Sequence, residues 1–99
     1  MWRWTFQQGK CYAAILRNDQ DIIAWSCCTF SDDWYPVVGC FVDEEHRRKG
    51  LGSLVARYML EQLELEPATP VYAVARLWPS WPDLLREFGL VYFDWPQGS

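Results

Sequence analysis

The chain has 99 residues, of which 51% are hydrophobic and 17% aromatic, a composition that suits a folded domain and excludes general disorder. Its formal net charge of −4 argues against non-specific nucleic-acid binding, which needs an excess of Lys and Arg. No apolar run approaches the roughly 18 residues of a membrane span, and residues 1–4 lack a signal peptide's apolar core. We therefore expect one cytoplasmic domain over residues 1–99, with neither nucleic acid nor membrane as a partner.

Four cysteines raise the question of disulfides or a metal site: Cys11, Cys27, Cys28 and Cys40. No two of them have the C-x-x-C spacing of a zinc site, and His46 is the only histidine. We predict four reduced thiols, mostly buried, and no bound metal.

The first half of the chain predicts strands. Alternating apolar residues suggest a short strand at residues 2–6, and longer apolar runs separated by polar turns predict an antiparallel meander. The first of these turns falls at residues 18–21, and Gly39 inside the last strand predicts a bulge. The three meander strands are predicted at residues 11–17, 22–30 and 35–42.

The second half alternates helices and strands. Apolar residues at helical spacing and the flanking prolines and glycine set the boundaries. Ser80 is a suitable N-cap for the second helix, and Arg57 can pair with Glu61 one turn away on the first. The predicted order from the meander onward is β-β-β-α-β-α-β, with the last four elements at residues 51–65, 71–76, 81–88 and 90–95.

The most informative stretch joins the meander to the first helix and reads Arg47-Arg48-Lys49-Gly50-Leu51-Gly52-Ser53. Glycine lets a backbone turn tightly and bring its N–H groups close to a ligand. The first N–H groups of the following helix lack partners, and the positive end of its dipole points the same way. With three cations beside it, this segment predicts a diphosphate site, although its spacing fits neither the dinucleotide fingerprint nor the P-loop.

The pattern Arg-x-x-Gly-x-Gly from Arg47 to Gly52, behind a strand ending at Val42, resembles the pyrophosphate loop of the GCN5-related N-acetyltransferases, the GNAT family. The resemblance covers residues 10–95 and implies an α+β (α/β) fold with a mixed, mostly antiparallel twisted sheet. It also implies acetyl-CoA as co-substrate. The implied binding residues lie on the strand end and the loop: Cys40, Phe41, Val42, Arg47, Arg48, Lys49, Gly50, Leu51, Gly52 and Ser53.

The activity that the resemblance implies is direct transfer of an acetyl group from acetyl-CoA to a primary amine, such as a protein lysine or an N-terminus. Leu85 stands where the family often has the tyrosine that protonates the departing thiolate, and Trp78 stands where asparagine is common. Tyr92 is therefore the candidate acid, with Tyr72 and Tyr58 as alternatives.

The base and the acceptor groove depart from the family as well. The strand before the loop has no glutamate, so Asp33 is the candidate base, with Asp32 or a chain of waters as alternatives. Residues 6–11 leave no room for the two helices that the family usually carries between its first two strands. The acceptor groove is then open, or completed by a second copy of the chain in a homodimer, or shaped for a large protein surface.

Two other functions stay open at this point. The first is a catalytically weak CoA-binding or protein-interaction module, which Leu85 and the missing helices favour and the intact loop does not. Compact acetyltransferases of this plan also occur among viral proteins, so the resemblance includes an anti-defence protein that modifies or binds a host protein. The second is an interaction protein without CoA, suggested by the seven tryptophans.

Overall fold

The computed structural model describes residues 2–19 and 21–95, so Gln20 of the first predicted turn lies outside the described part. A 3₁₀ turn at Glu44–His46 precedes the first helix. The other elements, in chain order, are β1 (Trp2–Gln8), β2 (Cys11–Asn18), β3 (Asp21–Thr29), β4 (Val37–Val42), α1 (Leu51–Leu63), β5 (Pro70–Ala73), α2 (Trp81–Glu87) and β6 (Val91–Asp94).

The six strands form one sheet in the order β1-β2-β3-β4-β5-β6. Neighbours from β1 to β4 are antiparallel, while β4, β5 and β6 run parallel because α1 and α2 cross over between them. A tight turn joins β1 directly to β2, with Gly9 in the left-handed region at φ 57°. The predicted α+β fold with a mixed sheet is confirmed, and so is the absence of helices between the first two strands.

Both α-helices pack on the same face of the sheet. In β3 the residues at alternate positions, Ala24, Ser26 and Cys28, are buried under α1, as the period of two in a strand requires. The two helices also meet each other, because an Arg57 guanidinium nitrogen lies 2.7 Å from a Glu87 carboxylate oxygen. The prediction that Arg57 pairs with Glu61 is therefore wrong: the contact between helices offers Arg57 a different carboxylate.

The opposite face of the sheet carries no helix within residues 2–19 and 21–95. Exposed aromatic side chains occupy it instead, beginning with Trp25 and Phe41, which are direct neighbours on β3 and β4 and stack at 5.8 Å between ring centroids. This face is the one left uncovered by the short connection between β1 and β2. None of the helices in the described part has the length and apolar character to cross a membrane.

Three local predictions need correction. Gly39 pairs regularly with Cys27, and the irregularity lies instead between Leu16 and Arg17, where the register skips a residue of β3. The strand predicted from residue 35 begins at Val37, because the preceding proline has no N–H to donate to the ladder. Ser80 precedes α2, but its side chain makes no capping hydrogen bond.

Two boundaries in the second half are shorter than predicted. The first helix ends at Leu63 because Glu64 turns into the left-handed region at φ 50° and donates its N–H to Leu60 O. The following strand ends at Ala73, after which a turn begins at Val74. All four cysteines are free thiols. The prediction that they are mostly buried holds for Cys28 but is wrong for Cys11, Cys27 and Cys40, which are half-buried.

Candidate functional site

The candidate site opens where β4 and β5 separate. These parallel strands pair at two positions, Val37 opposite Tyr72 and Val38 opposite Ala73, although β4 continues to Val42. β5 ends at Ala73, its last residue paired with β4, and a gap is left between the carboxyl end of β4 and the segment after β5. In sheets with parallel strands, ligands bind in this position, outside the carboxyl ends of the strands.

The backbone of the last part of β4 faces this gap. The Asp43 N–H donates to Ile23 O of β3 at 2.8 Å, so the odd-numbered residues of this strand direct their backbone groups toward β3. The backbone groups of Cys40 and Val42 consequently point the other way. The Val42 carbonyl accepts a hydrogen bond from Arg47 Nε at 3.1 Å, which fixes the start of the following loop against the strand end.

The gap belongs to a cleft of about 570 Å³. All the binding residues predicted from the sequence line it except Lys49, namely Cys40, Phe41, Val42, Arg47, Arg48, Gly50, Leu51, Gly52 and Ser53. Lys49 is exposed and lies outside the lining. Three residues that the sequence analysis did not assign to the site complete it: Leu77, Trp78 and Ser80.

One end of the cleft is the N-terminus of α1. Arg48 and Gly50 both adopt the left-handed region, at φ 66° and 74°, and turn the chain sharply into the helix. The first helical hydrogen bond runs from the Leu54 N–H to Gly50 O at 3.1 Å, so the N–H groups of residues 51–53 have no backbone acceptor in the described part. No side chain caps this helix start either. Such a turn followed by free amides forms a concave anion site.

The side chains at this end add unneutralised positive charge. Arg47, Arg48 and Lys49 are all exposed, and within residues 2–19 and 21–95 none of them forms an ion pair with a carboxylate. Two of them, Arg47 and Arg48, line the cleft beside the free amides. A multiply charged anion such as a diphosphate would therefore meet both fixed dipoles and two guanidinium groups.

Gly52 brings the helix close to Trp78. A Cβ added at Gly52 would lie 3.0 Å from the indole Nε1 of Trp78 and 3.3 Å from Cγ2 of Val42, closer than side chains normally pack. The Trp78 ring also meets Trp81 edge to face, at 4.9 Å between centroids. The glycine thus permits an indole to form one wall of the cleft.

The contribution of Trp78 is the part of the cleft that the sequence analysis missed. Trp78 follows β5, and it reaches the loop after β4 because the carboxyl ends of two parallel strands meet at the same edge of the sheet. The signal that could have found it is this topology: a helix between two strands implies a parallel crossover.

Cys40 contributes a partly buried thiol to the cleft wall. Its S–H donates to Gly52 O at 3.7 Å, which links β4 to the first turn of α1. Burial, and then the neighbouring Cys27, raise the pKa of the Cys40 thiol to about 12, so it remains protonated at neutral pH. The described part of the chain has no group of three or more His, Cys, Asp or Glu side chains placed to hold a metal ion.

Neither predicted catalytic residue lines the cleft. Tyr92 lies on β6, where its hydroxyl donates to Asp94 Oδ1 at 3.0 Å; desolvation, followed by the hydrogen bond and the charge of Asp94, raises the pKa of Tyr92 above its usual range. Asp33 lies in the loop before β4 and lines a second, separate concavity. Their roles as acid and base stay predictions.

Comparison with known proteins supplies the family. A model of the acetyltransferase (GNAT) family matches residues 1–82, which is most of the chain, up to the start of α2. The chain therefore belongs to the GNAT acetyltransferase family, as its resemblance predicted. Members of this family typically transfer acetyl groups, with acetyl-CoA as co-substrate. Searches of curated proteins and of solved structures found no match.

Proposed function

We propose that this chain is an acetyl-CoA-dependent N-acetyltransferase that acetylates a primary amine, on a protein lysine, an N-terminus or a smaller molecule. The observation that carries the proposal is the cleft between β4 and the segment after β5, which ends at a turn with free helix N–H groups and two arginines that form no ion pair within the described part of the chain. CoA has the matching shape, with an extended arm and a diphosphate at one end.

The diphosphate of CoA would bind at the N-terminus of α1. The amides of residues 51–53 have no backbone acceptor in the described part, and Gly50 leaves them accessible because it has no Cβ. Arg47 and Arg48 would close over the phosphates with charge-assisted hydrogen bonds. Lys49 would contribute only its long-range charge, since it does not line the cleft.

The arm of CoA would lie along the open edge of β4. Backbone groups of Cys40 and Val42 face the gap there and can hydrogen-bond an amide-containing chain as a further strand would. Acetyl-CoA supplies the acetyl group as a thioester, whose C–S bond breaks as the bond to the amine nitrogen forms. Because Cys40 keeps its proton at neutral pH, transfer would be direct rather than through this thiol.

Positioning would account for much of the catalysis. Among the described residues, the titratable side chains of the cleft lining are Cys40, Arg47 and Arg48, and none of them suits a general base at neutral pH. Holding the thioester and the amine in reacting geometry can lower a barrier by roughly 7–11 kcal/mol. A lysine amine has an ordinary pKa of about 10.4, so the acceptor would react through its small neutral fraction unless its surroundings lower that pKa.

The test compares two neighbouring cations of the loop. Arg48→Gln removes a guanidinium from the cleft lining, whereas Lys49→Gln removes the same charge one residue away, outside the lining. A hydrogen bond to a charged group is worth about 1.5–3 kcal/mol, so we expect calorimetry with acetyl-CoA to show at least about tenfold weaker binding for Arg48→Gln. We expect a smaller change for Lys49→Gln. If the natural protein, Arg48→Gln and Lys49→Gln all bind acetyl-CoA with equal affinity, the assignment of the cleft as the acetyl-CoA site is refuted.

A CoA-binding module without turnover is the second candidate. The observation in its favour is the cleft lining, to which residues 2–19 and 21–95 contribute no Asp, Glu, His or Tyr side chain. Release of free CoA from acetyl-CoA in the presence of amines separates the two functions. Amine-dependent release supports the transferase, while tight binding of acetyl-CoA without release for any amine tested supports the module.

A further inference from the structure

A second concavity of about 460 Å³ lies on the sheet face that the helices leave uncovered. It is lined by the loop before β4 and by one residue of β5: Asp32, Asp33, Trp34, Tyr35 and Tyr72. It thus combines three aromatic rings with two carboxylates, and the described part of the chain adds no basic side chain to its lining. We call it the aromatic–acidic pocket.

The rings of this pocket form part of a larger connected cluster. Tyr72 is its centre, with ring centroids 6.0 Å from Tyr35, 5.9 Å from Phe93 and 5.4 Å from Trp95. Trp34 meets Trp95 edge to face at 6.2 Å. Three structural segments, the loop before β4, β5 and the end of β6, hold these rings together. Even so, Trp34 and Tyr35 remain 59% and 51% exposed, so their surfaces are available to a ligand.

The charges of the pocket favour a cation. Asp32 already holds one, because the ammonium of Lys10 lies 2.6 Å from its carboxylate. Asp33 is exposed and forms no ion pair with any residue of the described part. One negative charge beside three aromatic rings therefore remains uncompensated. Cations are attracted to the faces of Trp and Tyr rings, and a nearby carboxylate adds to that attraction.

The pocket lies near the reaction site but is distinct from it. Tyr72 pairs with Val37, which precedes Cys40 by three residues on β4. At about 3.3 Å per residue, the pocket lies roughly 10 Å along the strand from the backbone groups that face the cleft. A group held in the pocket is too distant to be the amine that reacts, and it belongs to another part of the same acceptor.

We propose that the aromatic–acidic pocket binds a second alkylammonium group of the acceptor, so that the substrate is an aliphatic amine with at least two positive charges about 10 Å apart. This inference rests on the proposed acetyltransferase function. It agrees with the negative net charge of the chain, since an acidic protein attracts polycations. It also gives the uncovered sheet face an occupant of defined chemistry.

Binding is tested first, without turnover. The probe is n-butylammonium, with n-butanol as its neutral counterpart, followed through the indole N–H signals of the tryptophans in a two-dimensional NMR titration. We expect saturable shifts of the Trp34 and Trp95 signals with the ammonium alone, while Trp25, on the same face outside the pocket, stays unchanged. Equal shifts with n-butanol, or shifts of Trp25 as large as those of Trp34, would overturn the proposal.

Variants then assign the contacts. Asp33→Asn and Trp34→Leu each change an exposed side chain, and we expect each to weaken ammonium binding about threefold or more. Glu61→Gln is the matched control, because Glu61 is also an exposed carboxylate but lies on α1, outside the pocket. Unchanged ammonium binding in both pocket variants, or the same loss in Glu61→Gln, would refute the site.

Turnover separates this proposal from the function on which it rests. If acetyl-CoA binds and amines are acetylated, we expect spermidine to be used with a lower KM than butylamine. We further expect Trp34→Leu to raise the KM for spermidine, with the KM for butylamine and the affinity for acetyl-CoA unchanged. Acetylation of both amines with equal KM would refute the second ammonium site alone. Failure to bind acetyl-CoA, with the ammonium titration intact, would refute the transferase function alone.

Discussion

Replacing Gly52 by alanine tests the close contact between α1 and Trp78. The added Cβ would lie 3.0 and 3.2 Å from the indole Nε1 and Cε2, and 3.3 Å from Val42 Cγ2. Carbon atoms pack best at about 3.5–4.0 Å, so a neighbour must move by about half an ångström. Val42 is held in β4, and Trp81 packs edge to face against the indole. We expect the Trp78 ring to yield and to move within the cleft that it lines.

The stability change is the difference between two opposing effects. Overpacking typically costs about 1–3 kcal/mol, while alanine in place of glycine stabilises a helix by up to about 1 kcal/mol. The net expectation is a loss of roughly 1 kcal/mol in the free energy of unfolding, or about 4–8 °C in Tm for a domain of this size. Because the indole forms a wall of the cleft, acetyl-CoA should also bind about tenfold more weakly to Gly52→Ala, for a cost of about 1.4 kcal/mol.

Circular dichroism melting and calorimetry measure these two effects, and a second variant isolates their cause. In a Trp78→Ala background the indole that crowds Gly52 is absent, so adding Gly52→Ala should cost much less than in the natural protein or stabilise it slightly. A coupling free energy of at least about 0.5 kcal/mol between the two positions is expected. The reasoning fails if Gly52→Ala alone is as stable as the natural protein and binds acetyl-CoA equally well, or if the two substitutions are strictly additive.

Three further predictions concern the structure around the cleft. Ser26→Ala removes a buried hydroxyl that donates to Gly39 O at 2.9 Å, and urea unfolding should show a loss of about 1 kcal/mol; no loss would contradict this role. Because the pKa of Cys40 is raised by burial, the native state keeps a proton there that the unfolded chain loses above pH 9, so stability should fall as pH rises from about 9 toward 12. Replacing Cys40 by alanine should reduce this loss of stability at high pH. If stability depends on pH in the same way in Cys40→Ala, the raised pKa of Cys40 is not its cause. Glu87→Gln breaks an exposed ion pair with Arg57 and should lower the free energy of unfolding by less than about 1 kcal/mol, a difference that should vanish at high salt. A larger loss of stability that does not depend on salt would mean that Glu87 does more than form this ion pair.

The local features of the loop could be predicted from the sequence because they depend on neighbouring residues. The strand that ends at Val42, the left-handed turn at Gly50 and the helix that begins at Leu51 all follow from residue type and spacing over about ten positions. The free amides at the start of α1 follow from the helix itself. This is why all but one of the predicted binding residues line the same cleft.

The rest depends on contacts between distant residues. Trp78 lines the cleft because β4 and β5 pair in parallel, and Arg57 binds Glu87 because α1 and α2 share one face of the sheet. The bulge near Leu16 appears where β3 directs the two consecutive residues Ile23 and Ala24 into the core. A glycine inside a strand, such as Gly39, is a weaker indicator than this burial pattern.

The short pairing of β4 with β5 affects how the protein unfolds locally. The chain folds as an antiparallel meander with α1, followed by the segment that contains β5, α2 and β6, and the sheet connects the two parts through only two residue pairs. Weakly joined parts of a protein tend to unfold as separate cooperative units, which amide hydrogen exchange detects. Residues 70–94 should therefore exchange sooner than β2 and β3. The cleft takes its lining from both parts, so a ligand bound there would hold the sheet together at its weakest junction.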